Sequence, residues 1–521
     1  LIAGCMNSHN TSKIALLIFW GVVSILAVFA FIGYAGNGYV YVLFTIVANL
    51  ILYFGFRKNA IFFDTFIGIF FWLGFWLKLT VRVVFFGGLF NEPVGNFDGS
   101  GAAFDTALLV SSCGMLGLLS ASFLREKLSC NYPLKIQGIA QQGLFSVYRS
   151  HRKVILAGFV VLFFITAVTN AYFGIYQRGG ITRTTLPFGL NGIYKWLLLF
   201  GLASFSALIL RFEFEIKRET SFLAMFLSLL ESFVSNLSLL SRGMILNSGA
   251  LIYGVFVSRK FHSIKSNVQF FAVTLFVLAS LSVGSLFLSN YLRLSNEVKN
   301  IYIIAEVKAP SVQIPEKQGN TIQSNDRQSV AAQPAGTRGV IDQILTVKGI
   351  PLLPSIINMT LKLFVDRWVG MEGVMAVSSY SDLGLDLWKK AWKETYNENE
   401  TSFYDNTFIK SPYIIVDKTK FHFISLPGVI AFFFYPGSFL FLFAGMFVLG
   451  VIAAIIEYFV FRLGGKNVIL CSLLAQVVAF RYLSFGYVPM QSYLLFGTIF
   501  LNLFIIYFAD KASLLIYGKD S

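Results

Sequence analysis

About twelve apolar runs, most of them about 20 residues long, dominate this chain, and a run of that length is what an α-helix needs to cross the hydrocarbon core of a bilayer. They lie at 14–33, 38–56, 61–86, 104–124, 154–174, 192–211, 221–241, 244–258, 268–291, 438–461, 467–486 and 492–509, the eighth being short. In lipid a backbone must satisfy its own N–H and C=O groups, so such runs predict helices. The expected fold class is an all-α polytopic membrane protein with about twelve transmembrane helices. Composition excludes a soluble globular chain, because 56% of the 521 residues are hydrophobic, 13% are charged and the mean hydropathy is +0.70.

The formal charge of +15 raises nucleic acid as a partner only if the cations form a patch of their own, and they do not. Arg57, Lys58, Arg125, Lys127, Lys135, Arg149, Arg152, Lys153, Lys217, Arg218, Arg259, Lys260, Lys265, Arg462 and Lys466 all fall in alternate short loops. The positive-inside rule puts those loops and both termini in the cytoplasm, with no nucleic-acid partner expected. Met6 is the expected start and the first helix an uncleaved anchor. Cys5, Cys113, Cys130 and Cys471 avoid the large polar loop, so no disulfide is expected. His9, His151, His262 and His422 are isolated, and neither a metal site nor a cofactor is predicted.

This topology divides the chain into an N-terminal bundle of about nine helices (1–291), a large external loop (292–437) and C-terminal helices (438–521). Residues 308–339 are rich in Pro, Gln, Asn and Ser and are expected to be a disordered tether. Apolar residues return over 340–392, where Phe364, Trp368, Met371 and Met375 fall on one helical face. Pro427-Gly428 and Pro436-Gly437 interrupt the apolar stretch 423–437, predicting a short re-entrant element buried in protein.

Cations that loop asymmetry does not explain are the informative ones. Arg178 and Arg183 lie in a short external loop, Arg242 at an outer helix end, and Lys78, Arg82 and Arg481 in the outer parts of their spans. A charge within a membrane span is disfavoured by about 2.5–3.5 kcal/mol, so it is expected to face a cavity, a partner or a substrate, or to snorkel to lipid phosphate. Arginine's planar fork suits phosphate and diphosphate, which points to an anionic lipid-linked ligand. Glu231, in the middle of its helix and too far from Arg242 to pair with it, needs another partner, protonation or a polar cavity, or serves helix packing beside Ser235 and Asn236. His422 precedes the Pro-Gly element and is placed as a proton acceptor or a packing histidine. In DRWVGMEGVMAV (366–377) a straight helix would put Arg367 and Glu372 about 140° apart. Either Gly370 and Gly373 turn the segment so that both face one cavity, or one of the two acts alone.

The stretches FWLGFWLKLTVRVVFFGGLFNEPVGNF (71–97), NAYFGIYQRGGITRTTLPFGLNGIYKWLLLFGL (170–202), ESFVSNLSLLSRGMIL (231–246), DRWVGMEGVMAV (366–377) and FHFISLPGVIAFFFYPGS (421–438) together resemble the O-antigen polymerase (Wzy-like) family of bacterial envelope glycan polymerases. Arg178 is followed after ten residues by Gly189, an interval the family shows in an external loop; the large loop does not repeat it after Arg367. The resemblance implies a GT-C-like, metal-independent glycosyltransferase of the bacterial inner membrane with its large loop in the periplasm. Donor and acceptor would both be undecaprenyl-diphosphate-linked oligosaccharides, and a chain-length regulator is a possible partner. In this scheme Arg367, Glu372 and His422 are catalytic, and Arg178, Arg183, Arg242, Lys78, Arg82 and Arg481 bind diphosphate or sugar. Glu231, Gly189, Gly370 and Gly373 are structural. An O-antigen ligase acting on lipid A core, and a flippase for lipid-linked sugars, are the competing expectations.

Overall fold

The computed structural model describes residues 2–128, 142–217, 219–241, 243–262, 268–307, 366, 368–397, 400–410 and 424–517, and every regular element among them is a helix. In chain order these are α1 (Ile2–Gly33), α2 (Gly38–Gly55), α3 (Phe62–Phe86), α4 (Gly101–Lys127), α5 (Gln142–Phe173), α6 (Pro187–Lys217), α7 (Phe222–Ser238), α8 (Met244–His262) and α9 (Val268–Val307). The large loop contributes α10 (Met371–Ser378), α11 (Leu385–Trp392) and α12 (Val429–Phe434), and the chain then continues through α13 (Phe439–Leu463), α14 (Val468–Leu483) and α15 (Ser492–Tyr517).

Nine helices among the described residues are long and apolar enough to cross a membrane, which makes this a multi-pass membrane protein. The seventh and eleventh expected spans are instead the shorter apolar helices Phe222–Ser238 and Val468–Leu483, and the eighth, expected to be short, is Ile245–Ser258. Burial explains one of them. All of α14 is buried or half-buried, packed against α3, α6, α8 and α13, and a helix that is apolar on every side belongs inside a bundle. Its neighbours approach closely: a Cβ at Gly254 of α8 would lie 2.8 Å from the Ile469 Cα.

Two long helices are not regular. A π-helical turn at Trp72–Leu77 interrupts α3, and another at Leu197–Gly201 interrupts α6. Such turns shift the register of every side chain beyond them, and no apolar periodicity announces them. At the start of α3, Ile61 offers no side-chain cap, and Glu457 of α13 does the work from a distance. Its buried carboxylate accepts the Phe62 and Phe63 N–H groups at 2.9 and 2.8 Å. Arg57, Asp64, Arg125 and Glu126 cluster near this end of α3, with Arg125–Asp64 at 3.1 Å and Arg57–Glu126 at 3.3 Å.

In the large loop, residues 308–365 lie outside the described residues, so the expected tether and the first part of the expected helical region lie there too. The helical face drawn through Trp368, Met371 and Met375 is broken. The helix starts only at Met371, and Gly370 before it has φ 168° and ψ −99°. Close approach explains the break, because a Cβ at Gly370 would come within 2.5 Å of the Gly74 carbonyl oxygen in the π-helical turn of α3. The Pro-Gly element is present as α12, six residues all buried in protein and flanked by α4, α10 and α13.

Candidate functional site

The unexplained cations separate into two groups at one end of the bundle. The first comprises Lys78 and Arg82, one turn apart on α3 just beyond its π-helical turn. Lys78 Nζ donates to the Trp368 carbonyl at 2.8 Å and pairs with Glu372 at 2.5 Å. Arg82 pairs with Asp366, whose second oxygen accepts the Asn91 amide at 2.7 Å. Arg82 also donates to the Leu89 carbonyl at 3.3 Å and lies 4.7 Å from the Phe86 ring centroid. The Trp368 ring stacks on Phe70, with centroids 5.9 Å apart. Both cationic side chains are almost fully enclosed, at 1% and 5% exposure. Their charge is matched by two carboxylates of the large loop.

Lys78 and Arg82, expected to bind diphosphate, each hold a carboxylate of the loop, and Glu372, expected as the base, is the partner of Lys78. Gly370 does turn the chain. Gly373 sits inside α10 against the Pro427 carbonyl, where any side chain would overlap that oxygen. Pro427 is thus pressed between Gly373 on one side and Gly486, after α14, on the other.

The second group gathers around Tyr176, in the loop between α5 and α6. Lys195 Nζ lies 5.1 Å from the Tyr176 ring centroid, and the Arg481 guanidinium of α14 is within electrostatic reach of the same residue. Arg481 donates to Ser492 Oγ at 3.2 Å and lies 5.9 Å from the Phe485 ring. Neither Lys195 nor Arg481 has a carboxylate at ion-pair distance among the described residues. Two residues beyond Tyr176, Arg178 donates its backbone N–H to the Leu239 carbonyl at 3.0 Å, and its guanidinium runs beside Gly243.

The loop carrying Tyr176 is held firmly. Asn170, fully buried at the end of α5, donates to the Tyr176 carbonyl at 3.0 Å and to Ser238 Oγ at 2.8 Å, and its own oxygen accepts the Tyr176 N–H at 2.9 Å. This ties α5, the loop and the end of α7 together beside the cations. The group can therefore present positive charge from fixed positions, which is what an anion site needs.

Other predicted residues lie elsewhere. Arg183 is exposed, its N–H bonded to the Gly174 carbonyl at 3.0 Å and its stem laid across Gly174. Gly189 is left-handed, φ 74°, at the entry to α6, beside fully exposed Phe188. Glu231 is buried and accepts from Ser235 at 2.8 Å and Ser232 at 3.4 Å, both on its own helix, with no basic side chain at ion-pair distance among the described residues. Arg242, Arg367 and His422 fall outside the described residues. No group of three or more His, Cys, Asp or Glu side chains among the described residues could hold a metal ion.

Sequence reasoning missed Asp366, Asn91, Tyr176, Lys195, Ser492 and Glu394. Glu394, beyond α11, accepts backbone N–H groups from Phe403 and, at 3.1 Å, from Val488. Burial pushes its carboxyl up, and those two donors oppose the shift. Asp366 had a signal, adjacency to Arg367 in a stretch with few acids; Lys195 and Ser492 had none, being ordinary residues at helix starts. Comparison of the chain with family models, with curated proteins and with solved structures gives no match.

Proposed function

We propose that the chain is a membrane glycosyltransferase that joins undecaprenyl-diphosphate-linked oligosaccharide repeats into O-antigen or a related surface polysaccharide. The observation that carries this reading is the placement of Lys195 and Arg481 about Tyr176, in the loop that carries Arg178 two residues further on. In this reading the nine long helices and the three shorter ones make twelve crossings of the inner membrane in a GT-C-like arrangement. Both termini are cytoplasmic and the large loop is periplasmic.

The chemistry follows from the charges. An acceptor hydroxyl oxygen bonds to the anomeric carbon of the donor, the bond from that carbon to the diphosphate oxygen breaks, and the polyprenyl diphosphate departs with the electron pair. Negative charge grows on the diphosphate as it leaves. Cations fixed at that position therefore stabilise the transition state more than the ground state. Arginine can present two donors to one phosphate, and Lys195 adds a point charge. The acceptor hydroxyl proton needs a base; with Glu372 committed to Lys78, this reading gives that role to His422. Lys78, Arg82, Glu372 and Asp366 fasten the large loop to α3, and so help to hold the acceptor side of the site over the bundle.

The test is the length distribution of surface glycan in the source strain, its own copy deleted and replaced by the Arg178→Ala or Arg481→Ala chain. Single repeats at the surface without polymer are the expected result. A normal ladder of lengths in both variants overturns the site. Polymer left on its lipid carrier would instead identify a ligase, and absence of even single repeats a flippase.

A further inference from the structure

Arg481 is held from one side by a turn that the large loop grips. Residues 484–491 connect α14 to α15, and Val488 in this turn has φ 45° and ψ 60°, a left-handed conformation that β-branched residues avoid. Its N–H is donated to Glu394 Oε2 at 3.1 Å, while the other Glu394 oxygen takes the Phe403 N–H. One carboxylate thus spans two parts of the loop and the strained residue. Further contacts reinforce this grip. The Phe485 carbonyl accepts the Gly428 N–H at 3.1 Å, the Phe485 ring meets Phe432 at 5.1 Å, and Tyr396 meets Tyr487 at 6.2 Å.

The other face of the turn leads to the cations. The Val488 carbonyl accepts the Gln491 N–H at 3.0 Å, closing the short turn Pro489–Gln491, and the next residue is Ser492. Ser492 Oγ accepts the hydrogen bond from Arg481. A direct covalent and hydrogen-bonded route therefore runs from Glu394 through Val488 and Ser492 to the Arg481 guanidinium.

We propose that Glu394 is a positioning residue for the anion site: by holding Val488 in its left-handed conformation it sets Ser492, and through Ser492 the direction of the Arg481 guanidinium. The inference rests on the reading of the Tyr176 cation group as a diphosphate site. It goes beyond that reading by making the site's geometry depend on how the large loop is seated.

The test is calorimetric titration of the purified full-length protein in detergent with farnesyl diphosphate, a soluble prenyl diphosphate. Wild type saturates and Arg481→Ala abolishes binding. Glu394→Ala raises the Kd about tenfold, the order expected when a hydrogen-bonded support is lost. Glu394→Gln, whose one amide oxygen can accept from only one of the two N–H groups, raises it by about threefold. Glycine takes the left-handed conformation without strain, so Val488→Gly placed beside Glu394→Ala or Glu394→Gln brings the Kd back to within about twofold of Val488→Gly alone. If Glu394→Ala does not fold, the glutamine variant with and without Val488→Gly makes the same comparison.

A lowered melting temperature with unchanged Kd for both Glu394 variants, while Arg481→Ala still abolishes binding, makes Glu394 merely structural and overturns the proposal but not the anion site. Failure of glycine to rescue overturns the route through Val488. No binding by wild type, or full binding by Arg481→Ala, removes the diphosphate reading and this inference with it.

Discussion

Lys78 and Arg82 on one side, Lys195 and Arg481 on the other, are cations near the same end of the same bundle, yet they have opposite surroundings. The first pair is enclosed and faces Glu372 and Asp366. The second meets a phenol, a phenyl ring and a serine hydroxyl. An enclosed ion pair holds parts of a protein in register, because each charge is intolerable without the other. A cation contacting only neutral groups keeps its capacity for an outside anion. In the proposed reading the first group serves architecture and the second the ligand, and each substitution acts on that contrast.

The largest effect belongs to Glu372→Ala. It leaves the Lys78 ammonium buried with only the Trp368 carbonyl, and removing one partner of a buried pair costs about 3–5 kcal/mol. Thermal unfolding in detergent, followed by tryptophan fluorescence, is expected to show a large drop in melting temperature. Replacing both partners by methionine recovers most of it. Arg481→Ala, by contrast, is expected to shift the melting temperature little while ending activity. If Glu372→Ala melts like wild type, the architectural half of the contrast fails.

Gly373→Ala comes next. Its methyl would run into the Pro427 carbonyl, and forcing extra volume into a packed contact costs about 1–3 kcal/mol. The same melt reads the loss. Pro427 also bears on Gly486 and thus on the Arg481 turn, so this variant is expected to weaken farnesyl diphosphate binding as well, which Glu372→Met paired with Lys78→Met is not.

These particulars show what the sequence carries. Membrane helices follow from apolar length, and the positions of all twelve expected runs correspond to helices, the seventh and eleventh of them shorter than expected. Lys78, Arg82 and the 366–377 stretch stand out because charge is rare in such a chain. That Lys78 meets the Trp368 carbonyl, 290 residues away, is a tertiary fact that no local pattern encodes. The π-helical turn at Trp72–Leu77 changes which face Lys78 presents, and it too leaves no periodic trace. Glu372 reads as a base until its partner is known. Lys195 and Ser492 read as nothing at all, because their meaning comes from Tyr176 and Arg481, on other elements.

Arg82→Lys gives a smaller effect. An ammonium can still meet Asp366, but it cannot also reach the Leu89 carbonyl in the same fork or stack on Phe86 as a planar guanidinium does. The expected loss is about 1 kcal/mol in the thermal melt, with farnesyl diphosphate affinity unchanged. A variant that lost affinity without losing stability would move Arg82 into the ligand group.

The smallest effect separates the groups without any substitution. Charges open to solvent are screened over about 10 Å at 0.1 M salt and over about 3 Å at 1 M, whereas enclosed pairs are screened much less. Lys195 is exposed and Arg481 half-buried, while Lys78 is 1% exposed. Raising the salt concentration over that range should weaken farnesyl diphosphate binding several-fold, and the part of the melting temperature that depends on the Lys78–Glu372 pair should stay constant. That part is the difference between Glu372→Ala and wild type at each salt concentration. If the difference shrinks with salt as fast as the binding does, the two groups share one environment, and both the contrast between them and the assignment built on it fail.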